Sequence, residues 1–199
     1  MSSELISGDG QNSKTQVRAI RIPTRLGLTL EKEADAQRIS VNALITSVLK
    51  KYAEFDRLAE KFEFISMPRK SFSLLIQELD DDKIEKCARQ VGSTVPKEIM
   101  RFWFDELSLG SLMSFMSLLS RHYRLARSEI KINYSDYTIM LHHDMGMKWS
   151  KFLKYYLDEA IRGVPGIFPK FEISDGLVVI RFNARDAVGN KQISQSTNH

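Results

Sequence analysis

The sequence contains one cysteine, Cys87, in 199 residues. A lone thiol closes no internal bridge, so no disulfide holds this chain, and the composition suits a reducing compartment such as the cytoplasm. No apolar run approaches the roughly 18 to 20 residues that span a bilayer, which excludes a membrane helix. There is no Gly-rich phosphate loop, no nucleophile elbow, no paired-carboxylate motif and no Cys/His cluster at ligand spacing. The reading is a protein that is not an enzyme and carries no cofactor. The opening "MSSELISGDGQNSKTQ" lacks the apolar stretch of a signal peptide and is rich in small polar residues, so 1–14 read as a disordered arm. The closing "ARDAVGNKQISQSTNH", 184–199, reads as a disordered tail.

What is present is an ordinary globular composition, 43% hydrophobic and 27% charged, at a length that allows one domain of ordinary size or a small module joined to a larger one. The net charge of +4 lies in one place. Residues 14–61 hold ten Lys and Arg against six acids, and the rest of the chain balances. A basic excess confined to about fifty residues is the electrostatic footprint of a polyanion-binding module.

The pattern within that module is specific. In "VRAIRIP" Ile20 and Ile22 share one face of an extended strand, and Val17, Ala19 and Arg21 share the other. Pro23 ends the strand and suits the start of a helix. Leu26, Leu30 and Ala34 then recur at intervals of four, the face of a first helix. After a break at "RISVN", with Ser40 as N-cap, Leu44, Ile45, Val48, Leu49 and Tyr52 mark one face of a second helix. A strand and two helices this short cannot bury that much apolar surface alone, and an unpaired strand is a pairing hazard. The expectation is an obligate homodimer with the two strands paired antiparallel.

The order strand, helix, turn, helix, with "IRIP", Leu26, Leu30, Ala34, "SVNALI" and the spacing of seventeen from Pro23 to Ser40, resembles the ribbon-helix-helix family of the Arc and methionine repressors over about residues 15–55. The resemblance implies that the paired strands enter the major groove of double-stranded DNA, where Val17, Ala19 and Arg21 read base edges. It also implies that the amides opening the second helix, at Ser40, Val41 and Asn42, hold a phosphate. Two positions depart from the family. Arg18 stands where an apolar inward residue is usual, and is expected to turn to a DNA phosphate, as is Lys14. Arg38 stands where the family favours glycine, at a turn that often needs positive φ.

The fold class expected is α+β: a dimeric ribbon-helix-helix module over 15–60, followed by a separate α+β domain of unrecognised family over 61–183. "PKEIMRFWFDEL" and "GSLMSFMSLLSRHY" are apolar at helical spacing, with "STVP" as start signal for the first. "EIKINYSDYTIMLHH" alternates like a hairpin around Ser135 and Asp136. "MKWSKFLKYYLDEAI" is an amphipathic helix with Trp149, Phe152, Leu153, Tyr156, Leu157 and Ile161 on one face. In "KFEISDGLVVIRF" the pair Asp175-Gly176 suits a type I′ turn.

This second domain offers little chemistry to the reader. His142, His143 and Asp144 are adjacent in a strand, whose neighbours face opposite ways, so one packed and one exposed histidine is expected and no metal site. Cys87 reads as a packed thiol on a short helix, and Lys148, Lys151 and Lys154 as a solvated helix edge. The Met and aromatic residues read as core or protein interface. The functional expectation is a sequence-specific, dimeric, cytoplasmic transcription regulator of prokaryotic type, whose second domain senses a small molecule, recruits a protein or builds a higher oligomer. The alternatives are an antitoxin or plasmid-maintenance protein, and an adaptor or enzyme tethered to DNA by the basic module.

Overall fold

A computed structural model describes residues 16–123, 126–164 and 167–185. Lys14, the arm 1–14 and residues 186–199 of the tail lie outside the described residues. The chain divides into two compact units, Met1–Phe64 and Ile65–His199. It is an α+β protein, helices together with a four-stranded antiparallel sheet of two hairpins.

In the first unit, 16–23 carry no helix, strand or turn. The expected N-terminal β-ribbon is therefore absent among the described residues. The reason is physical: a ladder needs a second strand, and none of the described residues pairs with the segment. Both of its faces stand in solvent, Val17 94% and Ile20 62% exposed. Pro23, at φ −58°, immediately precedes α1 (Thr24–Gln37), and its carbonyl accepts the N–H groups of Leu26 and Gly27 at 2.9 and 3.1 Å. Along the α1 stripe Ala34 is fully buried, Leu30 half-buried and Leu26 exposed.

At the end of α1, Ile39 N–H bonds the Ala34 carbonyl and Arg38 N–H bonds that of Asp35, each at 3.0 Å. This is a Schellman closure, and it places Arg38 in the left-handed region at φ 56°, ψ 41°. Glycine adopts that conformation freely, whereas an arginine there costs about 1 kcal/mol. Helix α2 (Val41–Lys51) follows, capped by Ser40, whose Oγ accepts Ala43 N–H at 3.1 Å. It continues through a π-helical turn, Tyr52–Asp56, a short α3 (Arg57–Ala59) and a 3-10 turn, Glu60–Phe62. Glu63, at φ 52°, turns the chain back so that Phe64 stacks on the buried Phe55 with centroids 6.2 Å apart.

The second unit begins with α4 (Arg69–Gln77) and a long α5 (Asp81–Phe104). The expected start at "STVP" is corrected. The cap is Asp80, whose Oδ1 accepts Lys83 N–H at 3.0 Å, and the helix runs on through the buried Pro96. Ser93 and Thr94 turn their hydroxyls back onto the Gln90 carbonyl, at 2.9 and 3.2 Å, instead of opening a new helix. Cys87 is corrected too: it lies on this long helix and is exposed, not packed.

After α6 (Leu109–Leu118) come β1 (Arg127–Asn133), β2 (Asp136–His142), α7 (Gly146–Arg162), β3 (Lys170–Ser174) and β4 (Leu177–Asn183), in sheet order β1-β2-β4-β3. The first hairpin turns at Tyr134-Ser135, one residue earlier than expected, because Asn133 pairs with Asp136. The second turns at Asp175-Gly176, as expected, but neither residue has positive φ, so the turn is not type I′. Glycine is required there for proximity: an added Cβ would lie 2.8 Å from the His143 carbonyl oxygen. Residues 184 and 185 are tied down and do not belong to a loose tail, Ala184 N–H bonding Ser135 O at 2.8 Å.

The period-two alternation puts Ile139, Leu141, Val178, Ile180 and Phe182 on one face of the sheet, all buried. Helix α7 packs on β3 and β4 and supplies Trp149, Leu153, Leu157 and Ile161, while α5 packs against α7. Lys148 and Lys151 are not a free edge. Lys148 Nζ donates to the Gln77 and Leu79 carbonyls at 2.6 and 2.7 Å, and Lys151 pairs with Asp81, joining α7 to the α4–α5 corner. Among the described residues no helix is long and apolar enough to cross a membrane.

Candidate nucleic-acid interface

The residues expected to read bases, Val17, Ala19 and Arg21, and the phosphate candidate Arg18 all lie in the segment before Pro23, and all are exposed. In the single chain they stand on an unpaired segment and do not form a ribbon. The second set of phosphate candidates opens a capped helix. Ser40 Oγ satisfies Ala43 N–H, and Val41 and Asn42 supply amides of the first helical turn, where no carbonyl of α2 precedes them. No acidic residue occupies that first turn, where the positive end of the helix dipole favours an anion.

Beside these polar groups runs an open apolar stripe. Val48 and Leu49 on α2 and Tyr52 at the start of the π-helical turn are 54, 59 and 53% exposed, between the buried Leu44 of α2 and the buried Phe55 of that turn. Ile20, Ile22 and Leu26 are exposed as well. These are the positions the amphipathic pattern assigned inward, and the single chain does not cover them.

In the second unit His143 is joined to Ser150. Both His142 and His143 are half-buried, where one packed and one exposed were expected. Ser150 is fully buried and donates its hydroxyl to the Ser174 carbonyl at 2.5 Å. With that proton committed, His143 Nε2, 2.9 Å away, must be the donor to Ser150 Oγ, and His143 Nδ1 accepts Met145 N–H at 3.3 Å. A neutral ring is thus built in, and desolvation by burial holds its pKa below the usual histidine value against the opposing pull of Asp144 and Asp175. A hydroxyl with no exposed surface and its proton on a main-chain oxygen is no nucleophile, so the pair is a brace between β2, α7 and the β3–β4 turn. Sequence reading missed it because nothing in "KWSKF" marks Ser150 except its place beside the apolar face.

A second polar cluster crosses from α5 to α7. Arg89 bonds Glu85 Oε1 at 2.8 Å and Glu159 Oε1 at 2.9 Å, and lies 4.8 Å over the Tyr155 ring. The Arg89 hydrogen bond holds the Glu85 carboxyl below its ordinary value. Among the described residues no group of His, Cys, Asp and Glu is arranged to hold a metal ion. No family model matches the chain, and no curated protein matches it.

Proposed function

We propose that this chain is a sequence-specific DNA-binding regulator of transcription that acts as a homodimer through its first unit. In that reading the 16–22 segments of two copies pair antiparallel and enter the major groove, with Val17, Ala19 and Arg21 outward. Arg18, Lys14 and the amides at Ser40, Val41 and Asn42 hold flanking phosphates. The observation that carries the reading is the apolar stripe of Ile20, Ile22, Leu26, Val48, Leu49 and Tyr52, left in solvent within the one module that holds the net positive charge. A second copy of the same stripe is the cover that requires no other partner. It also supplies the strand that 16–22 lack. Burial of such side chains contributes up to about 1.5–3 kcal/mol each, against which association costs must be set.

The second unit has its own sheet and helical layer, and we assign it to sensing, partner recruitment or higher assembly. A folded domain of this size favours a regulator over an antitoxin with a short toxin-wrapping tail. Light scattering on the full chain tests the assembly, and titration with genomic duplexes recovered by selection tests the binding. A dimer that selects a reproducible sequence supports the proposal, whereas a monomer indifferent to DNA contradicts it.

A further inference from the structure

We propose that His143 is an acid-sensitive latch for α4: a proton on its ring loosens the segment 144–148 and frees α4 while the rest of the second unit stays folded. The observation is where α4 is tied. Three polar links join its residues and the turn after it to that one short segment. Arg69 pairs with Asp144 at 2.7 Å, Gln77 Nε2 donates to the Met145 carbonyl at 3.0 Å, and Lys148 Nζ donates to the Gln77 and Leu79 carbonyls at 2.6 and 2.7 Å. Apolar contact adds little to these links. Ile76 is the one buried residue of α4, Phe72 is half-buried with its ring edge-on to Trp149 at 5.4 Å, and Leu74 and Leu75 are exposed. An element held by so little buried apolar surface opens before the core does.

Met145 connects the ring to the helix. Its N–H donates to His143 Nδ1 at 3.3 Å, and its carbonyl accepts Gln77. The Ser150 hydroxyl proton is committed to the Ser174 carbonyl, so Nε2 keeps its hydrogen toward Ser150 Oγ. The one free lone pair of the ring therefore faces Met145 N–H. An added proton lands there, donor against donor, and the Met145 main chain must move, taking the Gln77 acceptor with it. In the closed form burial disfavours the cation and outweighs the pull of Asp144 and Asp175, while His142 on β2 opposes it further. Asp144 is itself paired with Arg69 of α4, and Asp175 Oδ1 accepts Met147 N–H. From α7 the ring meets the uncharged Ser150, and Lys148 of that helix is turned to α4. Opening returns water to the ring, so the opened form takes up the proton first and acid draws α4 away.

The test is hydrogen exchange by mass spectrometry on the full chain from about pH 7.5 to about pH 5, corrected for the intrinsic pH dependence of amide exchange. A Trp103→Phe chain gives a second reading, because Trp149 is then the sole tryptophan and is 2% exposed while Phe72 lies against it. We expect peptides over 69–77 to lose protection by about tenfold per pH unit once the pH is below about 6.5, with peptides over α5 keeping theirs. Iodide quenching of Trp149 should rise over the same range. His143→Gln, which takes up no proton, should keep α4 protected throughout. Gln77→Leu, which cuts the tie and leaves the histidine in place, should expose α4 at neutral pH already and remove most of its pH dependence. Should His143→Gln not fold, the parent and Gln77→Leu profiles decide. Unchanged protection of 69–77 in the parent would overturn the latch, as would equal loss over α5, which is global unfolding. A parent-like acid response in either variant would overturn it too. The latch stands apart from the DNA-binding reading, and these outcomes leave that reading as it is.

Discussion

Gly92 on α5 faces the backbone of Tyr156 on α7 so closely that the Cβ it lacks would lie 2.4 Å from the Tyr156 carbonyl oxygen. The neighbour is backbone inside a buried helix pair and cannot swing aside, so the two helices would have to separate.

Gly92→Ala therefore tests packing against propensity. In an exposed helix the change stabilises by about 1 kcal/mol. Here we expect the opposite sign, a loss of about 1–3 kcal/mol in urea unfolding, because overpacking displaces α5 from α7. Stabilisation would show that the helices are not apposed at this residue.

The proposed dimer gives a second expectation. Exposed positions away from special features usually tolerate substitution within about 0.5 kcal/mol. Val48 is 54% exposed in the single chain, so by that rule Val48→Asp should be silent. If a second copy covers the α2 stripe, the same change buries one charge from each copy in the interface. We then expect a monomer by light scattering and loss of duplex binding.

His143 sets a pH dependence. Burial lowers its folded pKa, so the unfolded chain takes up the proton first, beginning near pH 6.5. Stability from this group is complete above that pH and is lost as pH falls through the lowered folded value. Protonation would also put a hydrogen on Nδ1, where Met145 N–H now donates. Urea midpoints between about pH 5 and 8 should fall toward acid in the parent, and His143→Gln should flatten that part of the profile.

Legibility in the sequence followed the locality of the cause. The α7 stripe, the Ser40 cap and the turn at Asp175-Gly176 were readable because each depends on residues a few positions apart. "STVP" misled because a Ser/Thr followed by Pro opens helices as a rule, and the stronger signal, Asp80 with Asp81 and Asp82 behind it, lay thirteen residues earlier. Gly176 was read for its φ and serves a contact with His143, which no local pattern encodes. Cys87 was placed on a face of an assumed short helix, and the longer helix turned it outward. The segment 16–22 alternates as a strand should, yet forms none alone, because pairing is a property of two segments and only one is present.

The strand reading rests most heavily on Arg21, the one residue of that segment equipped for a bidentate contact to guanine. The deciding measurement is a salt series of titrations of the parent and Arg21→Ala on the selected duplex and on its scrambled counterpart. If the paired segments read bases, the substitution costs about 1–3 kcal/mol on the selected duplex, relaxes preference at one base pair in each half-site and leaves scrambled binding nearly unchanged. Equal weakening on both duplexes would mean that residues 16–22 anchor to phosphate and do not read sequence.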